Sequence, residues 1–370
     1  MTEEKRKPAK GPVWRESASL IICTKNPKKT DGYDYDLLLI KRSDKTAIVQ
    51  NQGVFPGGIL DLSDESVEWL KYFQEFGISQ EALKQLVVVD GKTERPKILA
   101  AQGTGCYDRF FKSHKIWARE ISLRINAIRE TFEEVGILVC RNKEQLYSPV
   151  TEGFCKELRD IKEWQKAVHD NPLNFLKMCR ELRVVPDLWG LNEWTCWASP
   201  AVIRKGYETA FYITFLNEKP SILCEISEVK EHLWLPPTTI LSMVRNGDLF
   251  FMPPQFYEIS RFMPYKSYDF LKNFATELSR RGVVINHPIL YTCTDGAVSV
   301  LPGDEFHVGC PRLATAHRTV DFTIDEFRSH SKRIHRMEDF GTPDAVIYMN
   351  IELIDGHLKP LCAFEGKHKL

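Results

Sequence analysis

The stretch Arg129-Glu130-Thr131-Phe132-Glu133-Glu134-Val135-Gly136-Ile137 ends a helical pattern that begins near Trp117 and runs to Val135. Ile121, Ile125, Ile128 and Phe132 recur at intervals of four, three and four residues, so a single apolar stripe faces a core. Gly136 suits the left-handed residue that closes a helix. Glu130, Glu133 and Glu134 centre on the side opposite the stripe, which gathers three carboxylates on one face. Like charges three or four residues apart repel by roughly 0.2–0.5 kcal/mol per pair on an isolated helix, so the cluster is unfavourable on its own. An acidic face of this kind is ordinarily a solvated helix surface, and the surrounding residues must decide whether it is more.

Chemistry offers one alternative. Mg²⁺ or Mn²⁺ takes hard oxygen ligands and keeps positions open for water and phosphate oxygens, and such an ion would turn the repulsion among Glu130, Glu133 and Glu134 into attraction.

Upstream, Ser17 to Thr24 and Leu37 to Arg42 read as two strands around a polar loop. Val54-Phe55-Pro56-Gly57-Gly58 follows as a turn whose paired glycines supply positive φ and let backbone approach another group. Short helical pieces broken by Asp90-Gly91, Pro96, Gly103 and Gly105 then mark an insertion at about 65–116. A second insertion, at about 141–190, contains two amphipathic helices divided by Asn171-Pro172. Strands return at Trp194 to Ala198, Ala210 to Leu216 and His232 to Leu235. Pro253-Pro254 starts a helix through Arg261, and another runs from Ser267 to Arg281. Beyond it, Ile289 to Thr294 and Ala297 to Leu301 flank the hairpin turn Asp295-Gly296, and Ala345 to Leu353 is expected to pair across Asp355-Gly356.

The opening stretch matches every fixed position of the second half of the nudix box, Arg-Glu-apolar-x-Glu-Glu-x-Gly-apolar, with Thr131 in the first apolar slot. Gly57-Gly58 resembles the opening of that box. Two departures stand out: Asp64 occupies the position of a Glu, and about 57 extra residues separate it from Arg129. In the family that Glu orients the Arg, a task open here to Asp64, Glu65 or Glu68. A box split in this way resembles the peroxisomal acyl-coenzyme A diphosphatases of the nudix hydrolase nineteen type. Gly57-Gly58-Ile59-Leu60-Asp61, Pro186-Asp187-Leu188-Trp189, Pro253-Pro254-Gln255-Phe256-Tyr257-Glu258 and Leu301-Pro302-Gly303-Asp304-Glu305 extend the likeness over most of the chain.

The resemblance implies a mixed α/β fold, the nudix α/β/α sandwich, with helical insertions and a β-rich C-terminal extension. It divides the chain into a flexible tail over 1–15, a nudix domain over 16–264 and an α/β extension over 265–370. It implies a metal-dependent hydrolase that cleaves the diphosphate of coenzyme A or its thioesters to 3′,5′-ADP and 4′-phosphopantetheine or its acyl form. Glu130, Glu133 and Glu134 would bind Mg²⁺ or Mn²⁺, Arg129 would brace loop against helix, and Gly57 and Gly58 would shape the substrate turn. Either Glu130 or a loop glutamate, Glu225 or Glu228, would accept the proton of the attacking water. Three rivals stay open: a nudix enzyme acting on NADH, ADP-ribose or capped RNA, a catalytically silent nudix binding module, and a structural domain with a chance motif.

Composition narrows the field. Fifty basic and fifty acidic residues cancel, which removes the positive field that long nucleic acids require. Ten cysteines lie without a Cys-x-x-Cys pair, which points to reduced thiols rather than to a disulfide scaffold or cysteine zinc site. No apolar run is long enough for a membrane span, and residues 1–15 lack the apolar centre of a signal peptide, so a soluble intracellular protein is expected. His368-Lys369-Leu370 resembles a Ser-Lys-Leu peroxisomal address with His in place of the small first residue, and so suggests a peroxisomal import receptor as partner; the cytoplasm is the alternative location. Trp189, Trp194 and Trp197, with Gln255, Phe256, Tyr257 and Glu258, read as core and helix-start residues rather than as a substrate cleft. Gly103-Thr104-Gly105 lacks the Gly-Lys-Ser/Thr of a phosphate loop.

Overall fold

The computed structural model describes residues 13–86, 89, 95–99, 119–147, 152–200, 202–203, 205–308, 317–339 and 342–363. Of the expected tail over 1–15, residues 1–12 lie outside the described residues, whereas Val13–Thr30 already forms the first strand, β1. Strand β2 (Tyr33–Arg42) returns antiparallel beside it, and the short strands β3 (Gly53–Val54) and β4 (Gly57–Ile59) follow. Helices α1 (Glu68–Glu75) and α2 (Gln80–Leu86) open the first insertion, whose Gly103-Thr104-Gly105 lies outside the described residues. The long helix α3 (Arg119–Val135) and β5 (Cys140–Arg141) come next. The second insertion holds α4 (Ile161–Asp170) and α5 (Leu173–Leu182), followed by β6 (Val185–Pro186). Strands β7 (Leu191–Ala198), β8 (Lys205–Leu216) and β9 (Val229–Leu235) and helices α6 (Pro237–Arg245) and α7 (Pro253–Phe262) complete this region.

β1 organises the main sheet because its two edges carry different partners. One edge runs parallel to β8 from Val13↔Lys205 to Thr24↔Leu216. The other pairs first with β4, through Ser17↔Ile59 and Ser19↔Gly57, and then with β2. β7 joins β8, while β3 and β9 both join β2, which gives the mixed sheet expected for this fold. Residues on β8 alternate between its faces. Tyr212 turns to Arg124 of α3, whereas Phe215 meets Tyr268 on the other side. Helices therefore cover both faces, and the layers are α/β/α.

Helix α8 (Tyr268–Arg281) starts at Ser267, whose hydroxyl accepts the Phe270 amide, and stops at Gly282, which has φ 79°. It packs on β7, β1 and β2, and β10 (Ile285–Asn286) joins β7. A division after residue 264 therefore separates α8 and β10 from the sheet they complete. The last region is a five-stranded sheet built on the hairpin β11 (Ile289–Thr292) and β12 (Ala297–Val300). It adds β13 (His317–Thr319), α9 (Ile324–Ser329), β14 (His335–Glu338) and β15 (Val346–Met349). Here the expected pairing is corrected. The strand within Ala345 to Leu353 pairs back onto β14, His335↔Met349 to Glu338↔Val346, and not across Asp355-Gly356.

This extension is fastened to α7 by buried polar contacts. The Tyr257 hydroxyl donates to His335 Nε2 at 2.7 Å, and His335 Nδ1 donates to the Pro302 carbonyl at 2.7 Å. Within the extension itself, Arg336 grips Asp304 with two bonds of 2.8 Å. Glu258 accepts the indole N–H groups of Trp194 and Trp197 at 3.0 and 2.8 Å, so these residues belong to the core as expected. The eight described cysteines are free, and among the described residues no helix is long and apolar enough to cross a membrane.

Candidate active site

Helix α3 is buried on both sides. Its stripe of Ile121, Ile125, Ile128 and Phe132 is fully covered, yet Glu133 and Glu134 on the acidic side are only 7% and 2% exposed. A solvated acidic face is therefore excluded. Gly136, with φ 72°, ends the helix as expected.

The covering layer is the glycine turn. The Gly57 amide donates to Glu134 Oε2 at 2.8 Å. A Cβ added at Gly58 would lie 2.2 Å from Glu130 Oε2, and one at Gly57 would lie 2.3 Å from the Ala18 carbonyl oxygen. Of the pair, only Gly57 takes a positive φ, 153°, so Gly58 is required for close approach rather than for backbone conformation.

Arg129 binds Asp64 through two bonds of 2.8 Å, which settles the choice among the three acids. Glu65 is instead paired with Arg119 at 2.8 Å, and Glu68 with exposed Lys71. The Asp64 carboxylate also accepts the Asp61 amide at 3.0 Å and Asn126 Nδ2 at 3.2 Å. The remaining Arg129 valence reaches Glu130 Oε1 at 2.9 Å and Glu133 Oε1.

Burial dominates the electrostatics. It pushes the Glu130 carboxyl up to about 7 against the pull of Arg129, and it raises Glu133 in the same sense. Glu134 is raised well above the ordinary carboxylate range by burial and by the charge of Glu130, which the Gly57 amide and Arg42 only partly oppose. Arg42, at the end of β2, has a buried Nε without a hydrogen-bond partner among the described residues. Its charge acts on Glu134, a relationship the sequence reading did not single out.

Two other elements converge here. The Glu225 amide donates to the Glu134 carbonyl at 2.9 Å, which brings the acidic loop against the end of α3. The Glu225 carboxylate is spent on its own turn, where it accepts the Ser227 and Glu228 amides at 2.8 and 3.1 Å, whereas the charge of Glu228 acts on Glu134. From the second insertion, α4 contributes Gln165 and His169, neither singled out in the sequence.

Among the described residues no three His, Cys, Asp or Glu side chains already converge as a metal cage, because Glu130 and Glu133 lean on Arg129 and Glu134 on Gly57. The donor set nonetheless fits a hard divalent cation. Among the described residues, Asp64, Glu130, Glu133, Glu134 and Glu228 gather hard carboxylate oxygens near the guanidiniums of Arg129 and Arg42, and a divalent cation would offset the burial that, above all, raises Glu130, Glu133 and Glu134.

Comparison with known proteins extends these observations along the chain. The family model described as the NUDT19 Nudix domain matches residues 14–262, and that described as the NUDT19 C-terminal domain matches residues 290–350. A Xenopus laevis protein named acyl-coenzyme A diphosphatase NUDT19 is 31% identical over 96% of this chain and 98% of its own. Its Gallus gallus namesake is 28% identical over 94% of this chain and 95% of its own. A NUDIX hydrolase structure from Alicyclobacillus acidocaldarius superposes with a TM-score of 0.49 at 18% identity, over 71% of this chain and 96% of its own.

Proposed function

Because the chain belongs to the nudix hydrolases of the NUDT19 family, we propose that it cleaves the diphosphate of coenzyme A and its acyl thioesters to 3′,5′-ADP and 4′-phosphopantetheine or its acyl form. It is a hydrolase of phosphoanhydride bonds. The observation that carries the substrate is the match of both regions to relatives named acyl-coenzyme A diphosphatase along nearly their whole length.

Water adds across one P–O bond of the anhydride, so one phosphorus gains the water oxygen and the bridging oxygen leaves with the other. Glu130, Glu133 and Glu134 are the residues we assign to Mg²⁺ or Mn²⁺, which when bound neutralises the diphosphate and acidifies a water. Arg129 holds the loop at Asp64 against α3, so that Gly57 and Gly58 stay over the carboxylates. The Gly57 amide orients Glu134, and Arg42 offers a cation to a substrate phosphate. The proton of the attacking water passes to Glu130 or to Glu228; Glu225 is withdrawn by its turn.

The test is a panel of coenzyme A, acyl-coenzyme A esters, NADH, ADP-ribose and capped RNA, incubated with Mg²⁺ or Mn²⁺ and analysed by mass. Release of 3′,5′-ADP from the coenzyme A compounds ahead of all other turnover supports the reading. Preference for NADH, ADP-ribose or capped RNA replaces it with another nudix specificity, and ligand binding without turnover replaces it with a binding module.

Peroxisomal import through His368-Lys369-Leu370, which lies outside the described residues, is a separate proposal. A reporter carrying the residues from Gly366 onward should collect in peroxisomes and lose that location without Leu370. A reporter that stays in the cytoplasm removes the signal.

A further inference from the structure

Beyond the carboxylates, the strand ladder leads to a cleft that the bond cleavage itself does not use. The Arg42 amide donates to the Gln52 carbonyl, the Gly53 amide to the Phe250 carbonyl and the Phe250 amide to the Asn51 carbonyl, each at 2.9 Å. Arg42 and Phe250 therefore flank the same short strand, and two strand spacings put their backbones about 10 Å apart. The loop that follows Arg42 starts at the acidic loop, where Ser43 donates its amide to the Glu228 carbonyl at 2.8 Å and its hydroxyl to the Ser227 carbonyl at 2.6 Å. It carries Ile48, 74% exposed, and reaches Gln50 and Asn51, which form one wall of the cleft. Phe250 and Phe251 form a second wall, and Thr342 and Pro343 of the C-terminal extension form a third. Phe250 is half-buried, whereas its neighbours Leu249 and Phe251 are buried.

We propose that this cleft takes the acyl chain of an acyl-coenzyme A, so that the C-terminal extension helps to select the substrate. The proposal rests on the coenzyme A reading of the active site. The cleft measures about 210 Å³, below the roughly 300–1,000 Å³ of a site that encloses a whole ligand, so it suits one end of a longer molecule. No charged side chain lines it among the described residues, so the 3′-phosphate at the adenosine end would find no cation there. Aromatic and aliphatic walls favour a hydrocarbon instead. Reach agrees with this choice. Arg42, whose charge acts on Glu134, stands at the diphosphate end of the path. The arm from phosphorus to the thioester sulfur spans roughly 15 Å when extended, enough to cross from Arg42 to Phe250 and bring the acyl chain to the cleft.

The experiment measures kcat and KM with Mn²⁺ for coenzyme A and for its acetyl, octanoyl and dodecanoyl thioesters, in wild type, Phe250→Ala and Gln50→Trp, beside thermal melts. Phe250→Ala removes a wall, and Gln50→Trp fills the cleft from an exposed position without touching the core. In the wild type KM should fall as the chain lengthens. Both variants should raise KM for the dodecanoyl ester about tenfold, with KM for coenzyme A and every kcat within about twofold of wild type. If Phe250→Ala melts early, the Gln50→Trp result decides. Equal losses on coenzyme A and the dodecanoyl ester place a part common to both in the cleft and overturn the acyl assignment. Unchanged KM for every thioester overturns it as well, and either result leaves the hydrolase reading standing. Wild-type protein that turns over none of these compounds overturns that reading, and the proposal with it.

Discussion

Arg129 and Asp64, separated by 65 residues in sequence, meet in a two-pronged ion pair with both bonds at 2.8 Å. The pair closes the box that the first insertion splits, and it does so with a carboxylate one methylene shorter than the family's usual Glu. Removing one partner of a buried pair leaves the other uncompensated, at a cost of about 3 kcal/mol or more. Asp64→Ala should therefore lower the melting temperature and reduce turnover together. Wild-type activity in that variant would place the Arg129 brace elsewhere.

The glycine pair separates two effects. Gly58→Ala drives a Cβ into the Glu130 carboxylate without straining the backbone, so turnover should fall at least tenfold while the melting temperature stays near wild type. Gly57→Ala meets the Ala18 backbone at a positive φ and should lower stability first. Melting curves set beside kcat/KM distinguish the two, and equal effects at both positions would contradict the assignment.

The helix, its apolar stripe, its Gly136 stop and the carboxylate cluster were all legible, because each obeys a local rule of period or capping. Asp64 could not be chosen over Glu65 and Glu68, since the choice depends on how the 65-residue excursion returns to α3. The burial of Glu133 and Glu134 was equally hidden, because the cover is a turn from a distant strand. Strand β14 has the sequence His-Arg-Met-Glu, which reads as solvent-exposed; tertiary pairs with Tyr257, Asp304 and Arg328 bury its polar side chains. Gln165 and His169 lie in an insertion whose helices were expected, but no short-range pattern says where those helices dock.

His335 carries a pH prediction. Burial lowers its pKa from 6.5 to about 4, and its neutral form is held between Tyr257 and Pro302. The unfolded chain takes up a proton that the folded chain refuses, so this stability is present above pH 6.5 and is lost as pH falls towards 4, by up to about 3 kcal/mol. The melting temperature should drop between pH 7 and pH 5, and His335→Gln should show a shallower drop. An identical pH slope in the variant would assign the acid sensitivity to other groups, such as half-buried His287 and buried His357.

Glu228 and Glu130 are separable as proton acceptors. If Glu228 is the base, Glu228→Gln should lower kcat by about 10²–10⁴-fold with Mn²⁺ affinity retained. If Glu130 serves, Glu228→Gln changes kcat little, and the rate–pH profile identifies the surviving group.

The central claim is that Glu130, Glu133 and Glu134 hold a divalent cation against a phosphoanhydride. Its most direct measurement is a calorimetric titration of Mn²⁺ into wild type and Glu134→Gln in the presence of coenzyme A, with product release followed in the same samples. The account predicts saturable Mn²⁺ binding and 3′,5′-ADP release in the wild type, and loss of both in a Glu134→Gln protein that still melts cooperatively. Wild-type protein that binds no divalent ion with substrate present, or a Glu134→Gln variant that keeps wild-type turnover, would contradict it.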